Sequence, residues 1–246
     1  MTAPSAIPED ALRLLVEQGF DATSVDQLAA AAGISRSTFF RRYGTKEDMV
    51  FADLESVLAE LERTLAAAGP HPGHAAVAGA LGVFDHHAAR PEASLLRHRL
   101  LQEVPALRDR ELVSTHRYER AFRHGLAGAF RPVAAAAGEA VPPACIAFCA
   151  GVVAVHNAYL RRWLSTRGAG LRAELEGELR ALAGLFAPYF AVPGSGGPGS
   201  AGTAPDAPAG PPPGTTPGRG PVVVTVLDPG AGTEDIVAEV RRALGV

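Results

Sequence analysis

The sequence predicts an all-α fold over residues 1–190, and three observations carry that prediction. Apolar residues recur there at intervals of three and four, no strand pattern interrupts them, and Gly and Pro separate the apolar segments. Hydrophobic residues make up 47% of the chain and charged residues 20%, which is typical of a globular protein with a sizeable core. The formal net charge of -3 argues against nucleic-acid binding by bulk charge, so any such contact must be local.

Two short helices are predicted at the beginning of the chain. The first spans Ile7–Phe20, because its apolar residues share one face and Gly19 ends it. The second spans Val25–Ala32, because Ser24 and Gln27 have the spacing of a capping box.

A third and a fourth helix follow a glycine turn. Gly33 tolerates the positive φ that such a turn requires, and Ser35 is placed to cap the third helix. Thr45 is placed to cap the fourth, whose helical period continues to about Ala68, where Gly69-Pro70 stops it. We therefore expect one long fourth helix.

Further helices are predicted as far as residue 190. They are His74–Ala89, Glu92–Glu103, Ala106–Phe130, Pro143–Thr166 and Leu171–Phe190. The segment 140–160 carries no charge, but its purely apolar part is short, so we expect a buried helix of a soluble protein and no membrane span.

The composition changes after residue 190. Gly and Pro dominate residues 191–220, which predicts a flexible linker. A strand candidate, Val222–Leu227, and a helix capped by Thr233 follow it. The pattern therefore divides the chain into short helices at 1–50, longer helices at 51–190, the linker at 191–220 and a small β-turn-α tail at 221–246.

The segment from the second to the fourth helix has the features of a helix-turn-helix. Ala29 is small enough for two helices to cross closely, Gly33 makes the turn, and Ile34 and Phe39 are placed to fill the core. The residues left for the outer face of the third helix are basic or hydroxylic: Arg36, Ser37, Thr38, Arg41 and Arg42. Such a face suits a DNA major groove, whereas isolated basic residues would more simply form a solvated surface.

This stretch resembles the DNA-binding domain of the TetR family of bacterial transcriptional regulators. The resemblance rests on Gly19-Phe20, Thr23 to Val25, Leu28-Ala29, Gly33-Ile34-Ser35, Thr38-Phe39-Phe40, Tyr43 and Thr45-Lys46-Glu47. The commoner family pattern has Tyr where this chain has Phe40, and Phe where it has Tyr43. The rest of the chain resembles the family in architecture only. The resemblance implies a helix-turn-helix DNA-binding domain at 1–50 and a helical ligand-binding and dimerisation domain at 51–190.

The resemblance implies a DNA-contacting set made of Ser35, Arg36, Ser37, Thr38, Phe40, Arg41, Arg42, Tyr43 and Lys46. Arg36, Ser37 and Thr38 would lie nearest the bases, and the others would hold phosphates. The implied function is that of a homodimeric repressor in the cytoplasm, released from a palindromic operator in double-stranded DNA by a small-molecule effector. No cofactor is expected.

Other functions were weighed against this one. A helical enzyme or small-molecule carrier without a DNA role is the alternative, but the sequence has no nucleophile elbow, phosphate-binding glycine loop or paired carboxylates. Recruitment of another protein by the C-terminal tail is a further, accessory possibility. We therefore expect no enzymatic activity.

The weaker candidates lie in the helical region. Phe122, His156, Asn157 and Tyr159 are candidates for a ligand pocket, although a hydrogen-bonded core histidine is the simpler interpretation of His156. All eight histidines fall between positions 71 and 156, but none has a partner four residues away, so we expect no metal site. Cys145 and Cys149 are most simply small core residues.

Overall fold

The computed structural model of the protein describes residues 8–67, 71–130 and 141–190. Within these ranges the chain is all-α and forms no strand, as predicted. The helices are α1 (Glu9–Gln18), α2 (Val25–Ala31), α3 (Arg36–Tyr43), α4 (Lys46–Val50), α5 (Leu54–Ala67), α6 (Pro72–Ala88), α7 (Pro91–Glu103), α8 (Pro105–Leu126), α9 (Pro143–Thr166) and α10 (Leu171–Phe186). The predicted linker and β-turn-α tail lie outside the described residues.

Local signals explain where the short helices begin and end. Ser24 Oγ accepts from the Gln27 N–H, and the Gln27 side chain accepts from the Ser24 N–H at 2.8 Å, so the predicted capping box is confirmed. Gly33 has a φ of 66° and the N–H groups of Gly33 and Ile34 donate back into the last turn of α2. The Ser35 and Thr45 hydroxyls cap α3 and α4 as expected.

The prediction of one long fourth helix is wrong, because the helix is interrupted at residues 51–53, between α4 and α5. Phe51 leaves the helical region with a φ of -112° and a ψ of 23°. The N–H groups of Phe51, Ala52 and Leu54 bond three residues back instead of four. No Gly or Pro marks this break, and the residue that lies there, Asp53, is buried and paired with His86 and Arg97.

Two apolar clusters hold the helices together. The first core joins α1–α4 to α7 and the beginning of α8, and contains Ala11, Leu12, Leu15, Phe20, Leu28, Ala29, Phe39, Tyr43, Met49, Val50, Ala93, Leu96, Leu100, Leu101 and Leu107. The second core is formed by buried residues of α5, α6, α8, α9 and α10, together with Phe130 and Phe190. Since α7 packs on α1, the helix-turn-helix is braced by residues 93–107.

Glycines allow the closest helix contacts of the second core. A Cβ on Gly79 would lie 2.6 Å from Leu61 Cδ1, and one on Gly125 would lie 2.9 Å from Leu65 Cδ1. Gly79 belongs to α6 and Gly125 to α8, so both helices lie close against α5 at these points. A side chain at either position would force the helices apart.

One described helix, α9, passes a length and composition test for a membrane span. Its best 18-residue window has a mean hydropathy of 1.5, and 33% of that window is buried within the chain. The buried face carries Cys145, Phe148, Cys149 and Val152, which pack in the second core. Val153 is buried as well, and Val155, Leu160 and Trp163 pack partly buried against that core, whereas Ile146 is 43% exposed.

Candidate nucleic-acid interface and ligand cavity

The outer face of α3 is set by the two aromatic residues on its inner face. Phe39 is fully buried and Tyr43 is 7% exposed, and their rings meet edge to face at 5.2 Å. The opposite face is exposed and carries Arg36, Ser37, Phe40, Arg41 and Arg42. The helix therefore presents a basic surface away from the first core.

Tyr43 is buried and Phe40 is exposed, which is the reverse of what the polarity of the two side chains would suggest. The Tyr43 ring is packed in the first core, and the Arg42 guanidinium lies 5.3 Å from its centre. Phe40 is 44% exposed, which leaves an apolar ring on the polar face. Phosphate contact by the Tyr43 hydroxyl would have to be made from a mostly buried side chain, whereas Phe40 is free to touch a ligand.

Arg36 is held by an acidic residue of the preceding helix. Its Nη1 donates to both carboxylate oxygens of Asp26 at 2.7 Å, and its guanidinium lies 5.4 Å from the centre of the Phe40 ring. Both partners of the ion pair are more than half exposed, so water and competing anions reach it. A base or phosphate that engages Arg36 through Nη1 competes with Asp26 for that nitrogen.

The hydroxyl residues at the start of α3 bond to one another. Ser35 Oγ lies 3.0 Å from Ser37 Oγ and 2.9 Å from Thr38 Oγ1, and accepts from the Thr38 N–H. The Arg41 guanidinium reaches Thr38 Oγ1 at 3.5 Å. This hydroxyl cluster fixes the first turn of α3, and its exposed oxygens stay available to an external partner.

Lys46 holds the helix-turn-helix together from within. Its Nζ donates to the carbonyl oxygens of Phe20 at 2.7 Å and Thr23 at 3.1 Å, and lies 4.7 Å from the centre of the Phe20 ring. Two of its three N–H bonds therefore tie the α1–α2 turn to the start of α4. One N–H remains for the phosphate contact that the family resemblance implies for Lys46.

A small cavity lies between α6, α8 and α9. It offers about 20 Å³ to the centre of a water molecule, which is room for one water. Its lining residues are Ala80, Val83, Tyr118, Phe122, Val153, His156 and Asn157. Of the four residues suggested by the sequence, Phe122, His156 and Asn157 thus meet here, while half-buried Tyr159 lies elsewhere on α9 and Arg162 covers its ring at 5.9 Å.

His156 brings an unsatisfied polar atom to this cavity. Its Nδ1 lies 3.1 Å from the Asn157 side-chain oxygen, and its Nε2 is buried without a hydrogen-bond partner among the described residues. Burial lowers the pKa of His156 to about 4, although the Asn157 hydrogen bond acts in the opposite direction. The ring is therefore neutral at pH 7.

A buried polar cluster, which the sequence did not predict, lies at the break between α4 and α5. Asp53 accepts from Arg97 at 3.1 Å and lies 2.9 Å from His86 Nε2, while Arg97 Nη2 lies 2.8 Å from His87 Nδ1. Burial alone would raise the pKa of Asp53, but Arg97 and the histidines outweigh it and hold the pKa well below its ordinary value. Burial and then Arg97 lower the pKa of His87 far below its ordinary value.

The same cluster contains a metal-like grouping. One ligand atom each from Asp53, His86 and His87 lie within 4.8 Å of one another. The Arg97 guanidinium already bonds to two of these three residues, and a dication would have to displace it. The arrangement therefore suits a hydrogen-bond network that includes an ion pair better than it suits a metal ion.

The comparisons with known proteins agree with this geometry. Residues 7–52 match the sequence profile of a family described as "Bacterial regulatory proteins, tetR family". Over 64 residues the chain is 41% identical to MftR of Mycobacterium tuberculosis, described as a mycofactocin biosynthesis transcriptional regulator; the match covers 26% of this chain and 32% of that relative's length. A transcriptional regulator from Rhodococcus sp. Rha1 shares the fold, with a TM-score of 0.51 and 18% identity over 78% of this chain and 100% of that one.

Proposed function

We propose that this chain is a homodimeric repressor that leaves a palindromic operator when a small effector binds, since its residues 7–52 match the model of the tetR family of bacterial regulatory proteins. The observation that carries the proposal is the exposed basic face of α3, held outward by Phe39 and Tyr43. The protein would work in the cytoplasm, where its DNA lies.

The charge distribution on α3 supports DNA as the partner. Arg36, Arg41 and Arg42 are exposed on a chain whose net charge is negative, and no acidic residue interrupts the helix. Hydroxyls of Ser35, Ser37 and Thr38 lie at its first turn, where an entering helix contacts base edges. In the proposed complex Arg41 and Arg42 bind phosphates, while Arg36 leaves Asp26 to reach a base.

The surface of the last two helices supports a dimer. Ile146 on α9, Leu185 on α10 and the neighbouring Tyr189 are exposed large apolar residues, between 43% and 74% accessible. Leu182 packs against Gly151, so α9 and α10 form one continuous surface. We propose that two copies join through this surface, which would place two α3 helices in successive major grooves.

Contacts around the break between α4 and α5 support a path by which ligand binding changes the position of the helix-turn-helix. Helix α8 reaches the break from one side, since Arg110 pairs with Asp48 and Arg117 pairs with Glu55 at 2.6 Å. Helix α6 reaches it through His86 and Asp53. Because α6 and α8 also form walls of the His156 cavity, we propose that a ligand which separates these helices reorients the helix-turn-helix.

The test begins with selection of bound sequences from a random DNA pool. Binding of the selected operator is then measured by fluorescence anisotropy for the wild type and for Arg41→Ala combined with Arg42→Ala. We expect the double variant to bind at least about 100-fold more weakly, with a log affinity–log salt slope that is less steep by about two units, because two phosphate contacts are lost.

The matched control removes the same charge away from α3. Arg120 on α8 and Arg161 on α9 are both exposed, and Arg120→Ala with Arg161→Ala should leave operator affinity within about twofold. Sedimentation velocity should show a dimer for all three proteins. Equal losses in the two double variants, or no selected sequence at all, would refute the proposal.

A further inference from the structure

The cavity between α6, α8 and α9 is apolar except at a few atoms. Ala80, Val83, Phe122 and Val153 form most of its wall, and the second core surrounds it. Its polar contributions come from His156, Asn157 and Tyr118. A site of this kind selects its ligand through a small number of hydrogen bonds against an apolar background.

The hydrogen-bonding role of His156 follows from its partner. An amide oxygen only accepts, so the proton of the neutral ring lies on Nδ1 and is donated to Asn157 Oδ1. Nε2 is then a bare acceptor, and it is the one buried side-chain nitrogen or oxygen of the described residues that lacks a partner. In the closed protein a water in the cavity can donate to this acceptor, and a ligand hydroxyl that takes the place of the water makes the same hydrogen bond.

We infer that the cavity takes a neutral aromatic or aliphatic alcohol, whose hydroxyl donates to His156 Nε2 and whose hydrocarbon part lies against Val83, Phe122 and Val153. The inference deepens the proposed function by naming the chemical class of the effector, and it rests on that function. A carboxylate is excluded as the group that meets Nε2, because it offers only acceptors to an acceptor.

The size of the cavity explains why such a ligand would act as a signal. The closed structure has room for one water, or one hydroxyl, so the hydrocarbon part enters only if α6 and α8 move apart. The ligand therefore binds the opened state better than the closed one, which is the condition for shifting a conformational equilibrium. Both walls also contact the α4–α5 break, through His86 and Arg117.

The inference is tested with phenol, toluene and pyridine as probes, titrated calorimetrically into the full-length protein at pH 7.5. Phenol and toluene have similar shapes, but a purely apolar cavity favours toluene, because phenol must give up its hydrogen bonds to water. We expect phenol to bind about tenfold more tightly than toluene, and more tightly than pyridine, which only accepts. Toluene or pyridine binding as well as phenol, or no binding by any probe, would overturn the inference.

Two variants separate the hydrogen bond from general packing. His156→Leu removes the acceptor and should abolish the preference for phenol over toluene, whereas His156→Gln keeps an acceptor oxygen and should retain it. Where His156→Leu does not fold, the three-probe comparison on the wild type decides alone. Operator binding without any probe is measured in parallel: intact operator binding with no phenol preference refutes only the ligand class, while absent operator binding refutes the proposed function.

Discussion

The helix-turn-helix and the helices that follow it bury polar groups to different extents. Between residues 8 and 50, the buried polar side chain is that of Thr23, in the turn between α1 and α2. Its hydroxyl donates to the Gly19 carbonyl at 2.7 Å. From residue 53 onward, Asp53, His87 and His156 are buried. The first region is thus held by caps, apolar packing and the Lys46 hydrogen bonds, whereas the second region buries a charged pair and a histidine nitrogen without a partner among the described residues.

The largest expected effect on stability comes from removing Asp53 from the polar cluster between α4 and α5. Asp53→Ala leaves the Arg97 guanidinium largely buried without its carboxylate, so we expect the free energy of unfolding to fall by about 3–5 kcal/mol. Urea denaturation measures this loss. The matched control is Glu55→Ala, two residues along, whose ion pair with Arg117 is exposed and should contribute no more than about 1 kcal/mol. Similar losses in both variants would remove the contrast between buried and surface pairs.

A smaller effect should appear when the pH is lowered. His156 has an ordinary pKa of 6.5 and a folded-state pKa of about 4, so between these values the unfolded chain binds a proton that the folded chain does not. Stability is therefore greatest above pH 6.5 and falls toward pH 4, by at most about 1.4 kcal/mol per pH unit from this residue. Burial also lowers the pKa of His87, which adds a loss of the same sign.

Calorimetric melting of His156→Gln between pH 7 and pH 4 isolates the contribution of His156. Its stability should depend less steeply on pH than that of the wild type. His116→Gln serves as the control, because it replaces a histidine that is exposed on α8, outside the second core. An identical slope for the wild type and His156→Gln would show that the second region lacks the predicted acid sensitivity at this position.

The smallest effect is expected in the first region. Ser24→Ala removes one half of the capping box of α2, and we expect the free energy of unfolding to fall by about 1 kcal/mol, with no dependence on pH between 7 and 5. The Ser56 hydroxyl, which donates to the Asp53 carbonyl at 2.7 Å, provides a second serine for comparison across the two regions. A Ser24→Ala loss that equals that of Asp53→Ala would contradict the proposed ranking.

The sequence predicted what is determined locally. The capping box at Ser24 and Gln27 spans four residues, and the bounds of α9 agree with the predicted helix at both ends. Helix ends of this kind depend on neighbouring residues, so patterns in the sequence reveal them.

The missed features depend on residues that are distant in sequence. Asp53 and Arg97 lie 44 positions apart, and they pair at a helix break within a segment whose apolar period runs on without interruption. The missed Tyr118 reaches the cavity from α8, whereas His156 comes from α9. The apolar period of a helix shows which of its faces is buried. It does not show which polar residues of two different helices come into contact.

The ion pair between Arg36 and Asp26 has a consequence for how the proposed regulator would search DNA. On a random sequence no base acceptor compensates for opening the pair, so Arg36 stays with Asp26 and the carboxylate adds repulsion toward the backbone. Only a correctly placed base acceptor draws the Arg36 guanidinium away from Asp26 and compensates for the lost ion pair. Asp26 would thereby weaken residence on non-operator DNA more than on the operator, and so shorten the time spent at wrong sites during the search.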